Sequence, residues 1–86
     1  MVRNEQLPPV SGTARAIATF IKADAEQKDV SIADLARALG KARSYASIRY
    51  NGLKTWSFDD VDSIAPILGY PDGMSLLRKA DQSRLS

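Results

Sequence analysis

The apolar positions of this chain recur at steps of three and four residues nearly throughout, the spacing that gathers side chains on one face of an α-helix. Ala14, Ile17, Ala18, Ile21 and Ala25 trace the first such face, with Phe20 beside them. Thr13 is the expected N-cap, and the polar run 24–29, interrupted only by Ala25, predicts an end near Lys28. Ile32, Leu35, Ala36 and Leu39 trace a second face. Ser31 precedes it, and Asp34 three residues on makes a short relative of the capping box; Gly40 stands where a helix-ending glycine belongs. A third helix is predicted over 42–50. Asn51-Gly52 closes it with the two residue types that best tolerate a left-handed backbone.

Ser57 is the expected cap of a fourth helix, and acids at 59 and 60 in its first turn suit the helix dipole. Phe58, Val61, Ile64, Ala65 and Leu68 keep the period as far as Gly69, and Phe20 and Phe58 are both expected in the core. Pro66 lies inside that period and lacks a backbone donor, so a kink or an early end is predicted there. Tyr70-Pro71-Asp72-Gly73 predicts a turn, and Met74, Leu76, Leu77 and Ala80 a short fifth helix. No segment alternates as a strand would. The expected fold is all-α: a compact bundle of about five short helices. Residues 1–12, with Leu7-Pro8-Pro9 and Ser11-Gly12, are expected to form an extended arm, 13–80 the domain, and 81–86 a polar tail.

Composition narrows the chemistry. Eighty-six residues suit one small domain. Cysteine and histidine are both absent, which removes disulfides, the usual zinc sites, thiol nucleophiles and histidine acid–base catalysis. No other nucleophile or acid–base pair stands out, so no enzyme, cofactor, metal or small-molecule substrate is expected. Asp59, Asp60 and Asp62 are expected to complement the helix dipole rather than bind a metal. No apolar run approaches membrane-spanning length and the N-terminus lacks a signal-peptide pattern, so no membrane partner and a cytoplasmic location are expected.

Net charge is only +2, but its distribution is uneven. Residues 35–58 contain no acid and hold Arg37, Lys41, Arg43, Arg49 and Lys54, so this stretch carries +5 and the rest of the chain −3. Basic residues clustered on one helical unit are the electrostatic footprint of a polyanion site; a solvated basic face is the alternative. Two helices joined by a short glycine-containing turn form the helix-turn-helix pattern, here over about 31–51. Ala36 is small enough to let the two backbones cross closely. On the third helix Ala42, Ala46 and either Tyr50 or the stem of Arg49 can face the core, while Arg43, Ser44, Ser47 and Asn51 fall on the other side.

The ordered set 31–40, then Arg43-Ser44-Tyr45-Ala46-Ser47, Asn51-Gly52 and Trp56-Ser57-Phe58-Asp59-Asp60, resembles the lambda-repressor/Cro-like (XRE-type) helix-turn-helix domain. The Arg-Ser-Tyr-x-Ser and Trp-Ser-Phe-Asp-Asp segments are most like versions from actinobacteria and their phages. That resemblance implies a third helix in the major groove of double-stranded DNA, with Arg43 and Ser44, then Ser47, reading bases, and with Asn51 and Lys54 near phosphates. The function it implies is a sequence-specific transcriptional regulator, a repressor of phage immunity or Cro type, nucleoid-associated in a bacterial cell. Two alternatives use the same fold: a protein-interaction module (antirepressor or adaptor), or a DNA-bending excision accessory factor.

Residue chemistry supports some of these roles. A guanidinium pairs bidentately with guanine O6 and N7, which favours Arg43 as a base reader. Arg37 and Lys41 are candidate phosphate contacts or solvated surface charges. Arg49 either contacts phosphate or pairs with an acid of the fourth helix. Tyr45 and Tyr50 either bond phosphate or pack, and Trp56 is expected to anchor the connector at the core edge. Ala42 is a poor cap for the third helix. Ile48 either touches a thymine methyl or is partly buried. The resemblance leaves monomer and homodimer both open; a dimer on a two-fold site would use helix five, the tail or the arm, with Met74, Leu76 and Leu77 as candidates that also suit core closure.

Overall fold

Side-chain caps and left-handed residues set where each helix starts and stops. The computed structural model describes residues 10–85. Within them lie α1 (Gly12–Gln27), α2 (Ile32–Leu39), α3 (Arg43–Tyr50), α4 (Phe58–Ile64), a 3-10 turn (Pro66–Leu68) and α5 (Gly73–Leu85). The described residues form an all-helical bundle with no strand. Leu7-Pro8-Pro9 of the expected arm, and Ser86, lie outside them.

α1 starts two residues earlier than expected. Ser11, not Thr13, is its cap: Ser11 has the extended backbone a cap requires, and its Oγ accepts the Ala14 N–H at 3.0 Å. At α2 the expected capping box is complete, with Ser31 Oγ accepting from Asp34 N–H and the Asp34 carboxylate accepting from Ser31 N–H. The same pair recurs at α4 between Ser57 and Asp60. Gly40 and Gly52 take left-handed φ values of 67° and 77°, so each lets the chain turn back and satisfy the last carbonyls of α2 and α3. Asn51, by contrast, keeps an ordinary φ of −88°. Asp29 does the left-handed work at the end of α1, at φ 61°, with Val30 N–H donating to Ala25 O across it. Pro66 ends α4 early, as its missing donor predicts, and the 3-10 turn carries the chain on to Gly69. α5 continues through 81–85, where a tail was expected. No glycine or proline follows Ala80, and Asp81 pairs with Arg84 along the exposed side.

The core is built from Ile21, Leu35, Ala46, Val61, Ile64, Leu68 and Leu76, all buried. α5 packs against α1 and α4, α2 against α3 and α4, and α3 against α1. Trp56 is buried and holds the connector between α3 and α4, as expected. Leu76 and half-buried Leu77 close the core while Met74 stays outside. Phe20 is half-buried against the core, but Phe58 departs from expectation: it is 82% exposed. Phe58 is in phase with Val61 and Ala65, yet it opens α4 at the rim of a groove walled by Thr13, Ala16, Ile17, Leu77 and Ala80, where none of the described residues covers its ring.

In the polar run at the end of α1, residues 26–29 are exposed, but Asp24 is not. Asp24 is buried, accepting from the Tyr70 hydroxyl at 3.0 Å and from Lys28 Nζ at 2.9 Å, while Lys28 also donates to Leu68 O at 2.6 Å. This cluster ties α1 to the 3-10 turn. Burial, then the bond to Asp24, raises the Tyr70 hydroxyl above its ordinary value and keeps it a donor. No helix among the described residues is long and apolar enough to cross a membrane.

Replacing Asp29 with glycine relieves a side chain held in a left-handed conformation and removes a negative charge from a helix C-terminus. Asp29→Gly is therefore expected to stabilise the fold by about 0.5–1 kcal/mol in urea titrations. The caps also predict a pH profile. Asp34 and Asp72 sit below the usual carboxylate value of 3.8 because each accepts a backbone N–H, from Ser31 and Ser75 respectively. A depressed folded-state pKa stabilises fully above 3.8 and that contribution disappears as pH falls through the lower folded value. With no histidine in the chain, unfolding midpoints are expected to stay level from about pH 8 to 5 and to drop below pH 4, with a smaller acid drop in Asp34→Asn and Asp72→Asn.

Candidate nucleic-acid interface

α2, the turn Gly40-Lys41-Ala42 and α3 form one unit. Ala36 is buried at the crossing, and Lys41 N–H donates back to Ala36 O at 3.1 Å. α3 is eight residues long, and Ala42 provides its extended start without any side-chain cap. A missing cap costs about 1 kcal/mol, and helices this short are unstable alone. α3 must therefore be held by its neighbours.

Besides its packing on α2 and α1, α3 has a polar tie to Asp60 of α4. The Tyr45 hydroxyl lies 3.0 Å from both carboxylate oxygens of Asp60 and donates between them. Asp60 Oδ2 also accepts Ser57 N–H at 3.1 Å and lies 3.5 Å from Arg49 Nε. The Arg49 guanidinium stacks 3.5 Å over the Tyr45 ring and donates from Nη1 to Tyr45 O. Burial, then the bond to Asp60, raises the Tyr45 hydroxyl, so it remains a neutral donor at pH 7. One turn of α3 and the first turn of α4 are thus joined through a single carboxylate.

This junction places Arg49 on the inner side of α3: its side chain is only 16% exposed and pairs with Asp60 and Tyr45. The reason is helical phase, since Tyr45, Ala46 and Arg49 share the inward side of α3. The sequence left pairing with an acid of the fourth helix open, and the structure selects it. What sequence reasoning missed is Asp60 as the common acceptor. Its signal was the repeat of the Ser31-x-x-Asp34 spacing at Ser57-x-x-Asp60, which marks Asp60 as a capping residue but not as a partner of Tyr45.

The other candidates divide. Arg43 and Ser44 lie exposed in the first turn of α3, and Lys54 lies exposed on the connector. Ser47 is half-buried, and its O and Oγ accept from Asn51 Nδ2 at 2.9 and 3.4 Å, so the Asn51 amide already helps close α3. Arg37 is exposed and pairs with Asp34. Lys41 is exposed and sits 5.3 Å from the Tyr45 ring centre. Ala42, offered as a core position, is exposed, whereas Ala46 is fully buried. Of the five basic residues in 35–58, Lys41, Arg43 and Lys54 have no carboxylate within ion-pair distance among the described residues. Lys41 and Arg43 lie at the N-terminal end of α3, and Lys54 lies on the connector beyond its C-terminal end.

Removing the Asp60 carboxylate leaves the Tyr45 hydroxyl and Ser57 N–H without their shared acceptor and Arg49 without its ion-pair partner. Asp60→Ala is expected to cost about 2–4 kcal/mol in urea unfolding, and Tyr45→Phe about 1 kcal/mol. Because the two side chains share one interaction, the Tyr45→Phe/Asp60→Ala double variant should cost less than the two losses added together.

Compared with known proteins, the chain matches no family model, no curated protein and no solved structure.

Proposed function

We propose that this chain is a sequence-specific double-stranded-DNA-binding regulator of the lambda-repressor/Cro-like kind, with α3 as the reading helix. One observation carries the proposal: α3 is mounted on the bundle by its inner side and turns outward a face with no acid, with exposed Lys41 and Arg43 at its N-terminal end and exposed Lys54 on the connector after it. Arg43 and Ser44, exposed in the first turn, are the proposed base readers, with Ser47 next along the helix. Lys41, Lys54 and Arg37 are the proposed phosphate contacts. Arg37 can exchange its exposed partner Asp34 for a phosphate at little cost, since exposed pairs contribute about 0–1 kcal/mol. Asn51 would approach the backbone with its amide already bonded to Ser47. Repression, a homodimer on a two-fold site and a nucleoid location belong to the same proposal.

A second reading, a protein-interaction module on the same fold, has one specific observation in its favour. Phe58 and Leu53 are largely exposed near the connector, and Phe58 borders the apolar groove between α1 and α5.

Affinity for duplex DNA, measured by fluorescence anisotropy across a salt series, separates the two. DNA binding is expected to weaken with a log–log slope of about −0.9 for each phosphate neutralised. Lys54→Ala should weaken all sequences alike and flatten the slope by about one unit, while Arg43→Ala should cost roughly 1–3 kcal/mol on the preferred sequence and little on others. Arg49→Met should lower stability yet leave the slope unchanged. No duplex binding at low salt would overturn the proposal in favour of the interaction module.

A further inference from the structure

The outward stripe of α3 is not wholly polar. Arg43, Ser44 and Ile48 are exposed, whereas Ala46 is buried and Tyr45, Arg49 and Tyr50 are half-buried. Ile48 follows Ser44 by four residues, so the two side chains lie one above the other on the same stripe. Isoleucine is a poorer helix former than alanine, and at 38% exposure it contributes less burial than a core residue. A lone exposed apolar side chain is ordinary on a protein surface. Its position on the proposed reading stripe, one turn beyond Ser44, is what gives Ile48 meaning.

In the major groove each base pair presents donors and acceptors, and thymine alone adds an apolar group, its C5-methyl. Ile48 has no polar side-chain atom with which to satisfy N7, O6 or an exocyclic amine. Pressed against a G·C edge, it would strip water from those groups and return no hydrogen bond. Against a thymine methyl, both surfaces gain by leaving water. The backbone beneath is also fixed: Ile48 O accepts Leu53 N–H at 3.0 Å in the closing turn of α3, and Asp60 anchors the helix through Tyr45.

We infer that Ile48 is a specificity-determining residue that reads a thymine methyl, so the site bound by this chain carries a thymine beside the base approached by Ser44. This rests on α3 being the DNA-reading helix.

The test begins with selection from a duplex pool with a randomised core, at low and moderate salt. The selected duplex is then remade with each thymine replaced in turn by uracil, which removes the methyl and changes nothing else on the major-groove edge. Wild-type protein is expected to lose about fourfold in affinity at one such position, the worth of one buried methyl group. Ile48→Ala should bind the thymine and uracil duplexes equally, whereas Ile48→Val, which keeps branched methyls, should retain the discrimination. Circular dichroism melting of each variant near the wild-type midpoint establishes that the fold is intact. Binding with no uracil-sensitive position, or a sensitivity that Ile48→Ala preserves, overturns the assignment while leaving DNA binding in place. An unenriched pool with no duplex binding at low salt overturns the DNA reading itself, and with it this role for Ile48.

Discussion

The Asp60 carboxylate is the joint on which the outer part of this bundle depends. It sits nearly out of solvent at the first turn of α4 and meets the Tyr45 hydroxyl, the Ser57 amide and the Arg49 guanidinium within 3.5 Å. α3 has no side-chain cap and only eight residues, too few to hold a helix without tertiary support. Its one fully buried side chain is Ala46, and it packs against α2 and α1. The junction adds a polar tie from α3 to α4. Buried carboxylates are costly unless several donors converge on them, and here they do.

That arrangement has a consequence for the surface. Committing Arg49 inward leaves Lys41, Arg43 and Lys54 as the cations of 35–58 without an acidic partner among the described residues. The outer face of α3 is therefore less charged than the sequence suggests and more varied in chemistry, offering a guanidinium, a hydroxyl and a branched apolar side chain in order. Groups that must meet a partner in defined geometry are best placed on an element whose other side is locked. α3 meets that requirement, whereas Phe58, exposed at the edge of an apolar groove, belongs to a separate surface made by α1, α4 and α5.

Most of the architecture was legible in the chain. Ser31, Gly40, Gly52, Ser57 and Pro66 act where they were expected because each works on backbone groups only a few residues away. The misplaced boundaries involve equally local but competing options. Ser11 and Thr13 both offer a hydroxyl at the start of α1, and backbone conformation chose Ser11. The run 81–85 looked like a tail because it is polar, yet nothing in it stops a helix. Phe58 was misjudged for a different reason: helical phase names the side a residue lies on, but a neighbouring element must be present to cover it.

By itself the sequence determined the number of helices, most of their caps and the acid-free basic stretch, since these follow from local hydrogen bonds and composition. Only the tertiary structure decided which charges are free. Arg49 meets Asp60 eleven residues away, and Asp24 meets Tyr70 forty-six residues away. Neither pairing has a periodic signature, because each depends on how whole helices pack. The same packing leaves Ile48 and Phe58 outside and turns Ala46 in. Hydrogen bonds that span one helical turn can be read along a chain; burial is a property of the assembled bundle.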